Sequence, residues 1–377
     1  MNLFKIPYLA QLNIVKQLEF HELFLLGLCS RRSKLLSQCV NHKFDATVID
    51  VIDGCLQVQN TGLEGNDVVK WASMDNPGDD GWLYDEVTNW ERKIEFEYRG
   101  AKIDCRISFH PEKEIPIIWC KERFKKKISL ATHSALCDIS NISPILQVMC
   151  SMDRLWEFPD VDEIDNFYGY GTSNDIQELL QFFNRVTIRN SVRLTDWPSF
   201  FYDISFPLAS VDHLYVENSR ELAGRHLEFF DVRSALFCKA RGVEDHHIIN
   251  FIRLWLDGSF EKLESMWIMM GATQLSQESL TEIFGAKHWD PTRRAARFKY
   301  PDGLKLLYED DILDLRNGVD IERPSDGRLA TIVFEGEQFR FFVWKESRFP
   351  EQLEPVTLRM EVEGREKSVF VLGKTYF

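Results

Sequence analysis

The sequence predicts an α+β protein in which a short helical module precedes a β-rich segment and a strand–helix domain. Three observations support this fold class. Leucines recur at helical spacing near the N-terminus, β-branched residues alternate with polar ones from residue 45 to about residue 128, and strand-like segments alternate with helical ones after residue 185. The last sixty-odd residues return to strand patterns and predict a terminal β segment.

The length and charge of the chain limit what it can be. A chain of 377 residues predicts two or three domains. The 45 basic and 59 acidic residues give a formal net charge of −14. An acidic balance of this size disfavours electrostatic capture by nucleic acid or by an anionic membrane, so neither is an expected partner.

The first forty residues predict three short helices. Pro7 suits the first turn of a helix, and apolar residues follow it at a spacing of three: Leu9, Leu12, Val15 and Leu18. We expect Phe20 to Glu22 to interrupt the helical pattern before a second helix over Leu23 to Leu28. A third helix carries Arg31 and Arg32 among its polar positions. So small a module cannot bury all its leucine, and some must face another surface.

The middle of the chain predicts strands. The segments at 46–59, 93–109 and 114–124 alternate β-branched and polar residues, and a helix is expected around Pro144 to Met152. Further strand-like segments begin at residues 185, 211, 235 and 264, which is a spacing of 24 to 29 residues. This spacing is typical of a leucine-rich-repeat-like α/β domain, and helical stretches such as the one from Asp245 lie between the strands.

Four regions follow from these patterns. They are a helical module at 1–44, a β-rich intermediate domain at 45–170, a strand–helix domain at 171–310 and a C-terminal β segment at 311–377. The N-terminal apolar stretch is interrupted by charge and resembles neither a secretory signal nor a membrane span. Eight cysteines without a C-x-x-C pair favour reduced thiols. We therefore expect a cytoplasmic or nuclear protein.

The sequence carries no convincing catalytic motif. His21-Glu22 begins like the helical zinc motif H-E-x-x-H, but Leu25 stands where the second histidine is required. Gly169 and Gly171 lack the third glycine of a dinucleotide site. Two basic clusters, at residues 121–127 and 293–297, are interpreted as solvated faces. We expect a protein that is not an enzyme and uses no cofactor or metal.

The N-terminal module resembles an F-box. The residues that carry the likeness are Ile6-Pro7 as the opening dipeptide, the first-helix hydrophobics Ile14, Val15 and Leu18, and the third-helix start Leu28-Cys29-Ser30-Arg31-Arg32. Two features depart from the family pattern. Tyr8-Leu9 replaces residues that are frequently polar or acidic, and Arg32 stands where tryptophan is frequent, so the local packing is expected to differ.

The chain as a whole is similar to a nematode family of F-box proteins with a type 2 F-box-associated domain. The segments that carry this resemblance are 206–219, 246–270 and 320–334. The resemblance implies a substrate-recognition adaptor of an SCF-type ubiquitin ligase. Its F-box would bind a Skp-type adaptor protein, a cullin ligase complex would be reached indirectly, and a downstream domain would hold an unknown substrate protein.

The resemblance also implies which residues bind the Skp-type adaptor. They are Ile6, Pro7, Ile14, Val15, Leu18, Leu23, Leu26, Cys29 and Arg32. Leucines that cannot be buried within a forty-residue module suit such a role, because a partner's helices would cover them. Two alternatives stay open: a non-catalytic interaction scaffold without a ligase role, and an enzyme whose catalytic groups converge only in space.

Overall fold

A computed structural model describes residues 3–40, 43–59, 65–75, 92–110, 113–173, 175–198, 208, 211–299, 312–345, 357–362 and 365–370. The chain divides into two compact units, residues 1–189 and 190–377. The described residues form seven α-helices and twenty β-strands, which confirms the predicted α+β class. The four predicted region boundaries stay predictions.

The first unit begins with three short helices. These are α1 (Tyr8–Val15), α2 (Phe20–Cys29) and α3 (Arg31–Gln38). The expected interruption at residues 20–22 is wrong, because these residues form the first turn of α2. The Glu19 backbone N–H donates to the Glu22 carboxylate at 2.9 Å in a capping box that starts the helix. Ser30 caps α3 by accepting the Ser33 N–H at 3.1 Å.

A mixed sheet and two further helices complete the first unit. The strands are β1 (Ala46–Asp50), β2 (Cys55–Gln59), β3 (Asn66–Ser73), β4 (Arg92–Tyr98), β5 (Ala101–Phe109), β6 (Pro116–Cys120), β7 (Ile145–Ser151) and β8 (Glu163–Tyr170). Their order is β8-β7-β1-β2-β3-β6-β5-β4. The helices are α4 (Lys125–Ser140) and α5 (Ile176–Arg185). The predicted strand-rich middle is thus present.

The helix expected around residues 144–152 is wrong. The helix of this region is α4, which ends at Asn141 in the left-handed conformation with φ 54°. The apolar run after Pro144 forms β7 instead and pairs in parallel with both β1 and β8. A short apolar run does not distinguish a buried strand from a buried helix by periodicity alone.

The second unit contains four parallel strands in chain order. They are β9 (Thr187–Asp196), β10 (His213–Asn218), β11 (Ser234–Ala240) and β12 (Ser265–Met270), and each pairs with the next. All four coincide with predicted strands. One α-helix, α6 (Asp245–Leu256), lies between them within the described residues, and a 3-10 turn (Gly224–Glu228) connects β10 to β11. A regular repeat is therefore not established, and the leucine-rich-repeat likeness stays a prediction.

The remaining elements of the second unit include one helix and eight strands. They are α7 (Gln277–Phe284), β13 (Lys287–His288), β14 (Arg297–Lys299), β15 (Ile312–Asp314), β16 (Val319–Glu322), β17 (Leu329–Glu335), β18 (Gln338–Val343), β19 (Thr357–Val362) and β20 (Arg365–Phe370). The sheet order is β13-β16-β17-β18-β12-β11-β10-β9. The hairpin β17–β18 turns at the predicted Glu-Gly position, residues 335–336. β19 and β20 pair antiparallel, and the Glu-Gly turn predicted at 363–364 lies outside the described residues.

Candidate docking site on the three-helix module

The three-helix module (residues 3–40) builds a small core of its own. Val15, Leu23, Leu36 and Val40 are buried together, and partly buried residues pack around them: Leu3, Phe4, Leu12, Leu18 and Leu26. Burial of this kind contributes about 25 cal/mol for each Å² of apolar surface removed from water. The leucine-rich sequence therefore supplies an internal core before any partner is considered.

The module is held by α4 of the same unit. Gly27 lies so close to α4 that an added methyl group would overlap the Cδ1 atom of Ile139. The ammonium group of Lys34 is 2.7 Å from the Asp138 carboxylate, and Gln38 donates to the Asp138 carbonyl at 2.6 Å. A glycine at the closest approach lets α2 and α4 pack tightly, so the module has a fixed position within its unit.

Some apolar side chains of the module stay outside this core. Leu9 is 74% exposed, and Tyr8 and Leu35 are each 55% exposed, while Leu28 is 39% exposed. The neighbouring Cys39 thiol raises the pKa of Tyr8, so Tyr8 lies near the C-terminal end of α3. Leu35 is one helical turn before Cys39. We refer to Tyr8, Leu9 and Leu35 as the apolar patch.

The residues predicted to bind the Skp-type adaptor fall into three groups by exposure. Pro7, Cys29 and Arg32 are exposed, whereas Val15 and Leu23 are buried in the core of the module. The half-buried residues are Ile6, Ile14, Leu18 and Leu26. Val15 and Leu23 are thus placed to support the module, and a direct role of any of the nine in adaptor binding stays a prediction.

Arg32 packs in an unusual way for a charged residue at the start of a helix. Its guanidinium carbon lies 4.4 Å from the centroid of the Phe4 ring, in a cation–π arrangement. The expected difference from the usual F-box packing at this position stays a prediction. Arg32 covers an aromatic side chain that belongs to the N-terminal end of the same module.

The apolar patch was absent from the predicted site residues. The sequence does contain a feature that could have indicated the patch. Tyr8-Leu9 stands where an F-box usually has polar residues after its opening proline. Leu9 also fits the three-residue spacing that predicted the buried face of α1. Periodicity alone could not tell that this leucine points outward, because α1 is only eight residues long.

The metal-ligand side chains and the thiols of the described residues can be compared with the requirements of a metal site and of a nucleophile. Within the described residues there is no group of three or more His, Cys, Asp or Glu side chains that could hold a metal ion. All eight cysteines fall in the described part of the chain and each is a free thiol. Burial raises the pKa of the Cys105, Cys120 and Cys150 thiols to about 12 in each case, so none is a ready nucleophile.

The interpretation of the basic cluster at residues 293–297 as a solvated face is wrong for Arg294. Arg294 is buried, and its side chain is 0% exposed. Its Nε donates to the Asp320 carboxylate at 2.8 Å and its Nη2 donates to the Leu315 carbonyl at 2.9 Å. Thr331 donates to the same carboxylate at 2.7 Å, and the Trp344 indole donates to Thr331 at 2.8 Å. We call these residues the Arg294 network.

A further finding concerns membranes: the helices in the described ranges are too short or too polar to cross a bilayer.

Comparison with known proteins gives one distant relative to report. The chain is 25% identical over 212 residues to a protein of Caenorhabditis elegans described as "Uncharacterized protein F59B2.9". The match covers 53% of the chain and 46% of that protein, so the chain matches less than half the length of this relative. No protein-family model matches the chain, and no solved structure matches it. The chain is therefore similar to a nematode protein.

Proposed function

We propose that the protein is a substrate-recognition adaptor of an SCF-type ubiquitin ligase, with the three-helix module as its F-box. The observation that carries the proposal is the apolar patch, which stays exposed although the module has a core of its own. Exposed leucine and tyrosine side chains on short helices are typical of a surface that a partner's helices cover. A Skp-type adaptor is the partner implied by the resemblance.

The structure of the module supports this assignment of roles. The buried residues Val15 and Leu23 maintain the helix arrangement, whereas the apolar patch and the exposed Pro7 and Cys29 supply the contact surface. The attachment of α2 and α3 to α4 keeps that surface in a defined orientation, which lowers the entropic cost of binding. The ligase chemistry itself belongs to other subunits, and the second unit supplies the surface for the target.

Co-expression of the full chain with a Skp-type adaptor tests the proposal. We expect the two proteins to co-purify as a stoichiometric complex, and addition of the cullin subunit to extend it. Complete failure to form the complex with the wild-type chain contradicts the proposal. A complex that never promotes ubiquitination of any bound protein favours the scaffold alternative instead.

A further inference from the structure

Five neighbouring strands of the second unit place one residue each in a single row. Their register pairs Arg193 with Tyr215, Tyr215 with Leu236, Leu236 with Trp267 and Trp267 with Arg340. We call these five residues the cross-strand row. Four strand spacings of ~4.8 Å make the row ~19 Å long.

The cross-strand row lies on the sheet face opposite α6. Phe251 of α6 packs against Phe339 and Phe341 of β18, with ring centroids 6.1 and 5.3 Å apart. Because neighbouring residues of a strand point to opposite faces, Arg340 and its partner Trp267 point away from α6. The row is thus not covered by this helix.

The row combines aromatic rings with arginine side chains. The Arg193 guanidinium carbon lies 5.0 Å from the Tyr215 ring centroid, and that of Arg340 lies 4.2 Å from the Trp267 centroid. Both rings are half-buried. Trp267 also packs against the core cluster around Phe298 and Trp344, and Leu236 between the two rings is buried, so the accessible surface is the outer part of each ring. Tyrosine, tryptophan and arginine are the residues enriched at the energetic centres of protein interfaces. The stacked arrangement also restricts the arginine side chains before binding.

A cleft of about 780 Å³ continues from the row. Met269 and Gln338 line it, and they lie two residues along from Trp267 and Arg340 on the same strands. Lys239 lines it from a bulge in β11, where its φ is +58°. Bulges redirect side chains, and left-handed backbone at a non-glycine residue is concentrated at functional sites. The bulge thus directs a cation toward the cleft.

Two cations of this cleft have no ion-pair partner among the residues that the structure describes. Lys239 and Arg241 are both exposed, and no carboxylate in the described parts of the chain lies within 4.0 Å of either. The remaining charges of the region are mixed, because Glu335 is 3.2 Å from Arg340 and Glu337 lines the cleft. Mixed charge suits a protein partner better than the continuous phosphates of nucleic acid.

We propose that this face binds an extended segment of a partner protein in which carboxylates flank an apolar side chain. The apolar side chain would pack on Tyr215 and Trp267, and the carboxylates would pair with Lys239 and Arg241. The inference rests on the proposed function, because such a segment would belong to the target protein that the adaptor holds. It adds the chemistry by which the target is recognised.

Fluorescence anisotropy with the full chain tests this inference. The probes are a labelled nine-residue peptide with two acidic residues on each side of a central phenylalanine, its lysine/arginine counterpart and a single-stranded oligonucleotide of equal length. We expect the acidic peptide to bind at least about tenfold more tightly than the other two. The Lys239→Glu/Arg241→Glu variant should lose that binding by at least about tenfold, and Tyr215→Ala should also weaken it.

A matched control changes the same number of charges elsewhere in the second unit. Arg253 on α6 and Lys287 on β13 are exposed and lie outside the row and the cleft, so Arg253→Glu/Lys287→Glu should keep wild-type peptide affinity. Four results would overturn the inference. They are equal binding of the acidic and basic peptides, tighter binding of the oligonucleotide, an equal loss of peptide affinity in the control variant, and no binding of any probe. Co-purification of Lys239→Glu/Arg241→Glu with the Skp-type adaptor separates the two proposals, because adaptor binding does not use this face.

Discussion

In most proteins apolar side chains are buried and charged side chains are exposed. The three-helix module and the Arg294 network depart from this rule in opposite ways. The module leaves large apolar side chains at its surface, including Leu9, although it has its own core. The network buries the charged side chains of Arg294 and Asp320. In each case the environment explains the exception. The buried ions are hydrogen-bonded to each other and to neighbouring groups, whereas the exposed leucine lies outside the core of its module, where the proposed adaptor would cover it.

The largest expected effect is the loss of one member of the Arg294 network. Arg294→Ala leaves the Asp320 carboxylate buried without its counter-ion, so the free energy of unfolding should fall by about 3–5 kcal/mol. Urea unfolding of the full chain measures this change. The exposed ion pair of Arg316 and Asp314 provides the control, because Arg316→Ala should cost at most about 1 kcal/mol. Equal effects of the two variants would show that burial of the network contributes nothing.

A smaller effect is expected where the three-helix module contacts α4. Gly27→Val places two methyl groups against Ile139 and should lower the free energy of unfolding by about 1–3 kcal/mol through overpacking. The double variant with Ile139→Ala is the matched test, since removing the obstructing side chain should recover part of the loss. If the losses in free energy of unfolding of the two single variants simply add in the double variant, Gly27 and Ile139 do not limit the approach of α2 to α4.

The smallest effect on stability depends on pH. Burial lowers the pKa of His133, whose Nδ1 lies 3.1 Å from the Thr47 hydroxyl. Below about pH 6.5 the unfolded chain binds a proton at this residue before the folded chain does, so the free energy of unfolding should decrease as the pH falls. Unfolding measured between pH 7.5 and pH 5 should show a steeper loss for wild type than for His133→Asn. Parallel curves for the two proteins would contradict the expectation.

The sequence predicted the secondary structure better than the burial of individual side chains. The strands β9 to β12 and the hairpin β17–β18 were predicted because alternation and Glu-Gly turns are local signals. Arg294 was interpreted as solvated because its partners Leu315 and Asp320 are 21 and 26 residues away in sequence and meet it only in the fold. Long-range hydrogen bonds leave no local pattern.

The exposure of the module's side chains was predicted only in part. Apolar spacing predicted three helices in the first forty residues, and the structure has three there. The residues that the resemblance implies for adaptor binding include Val15 and Leu23, which are buried, but not Leu9 and Leu35, which are exposed. A helix of eight or ten residues has too few turns for spacing to separate its inner from its outer apolar positions. The packing of the three helices on one another separates these residues, because Val15 and Leu23 lie in the core that the helices share.

The measurement that tests the central claim most directly compares stability and adaptor binding in one variant, Leu9→Asp/Leu35→Asp. Because both side chains are exposed and each surface substitution usually costs at most about 0.5 kcal/mol, the free energy of unfolding should stay within about 1 kcal/mol of wild type. Affinity for the Skp-type adaptor should fall by at least about a hundredfold, as expected when interface anchors are replaced by charges. A variant that remains equally stable and binds the adaptor as tightly as wild type contradicts the assignment of the apolar patch as the docking surface.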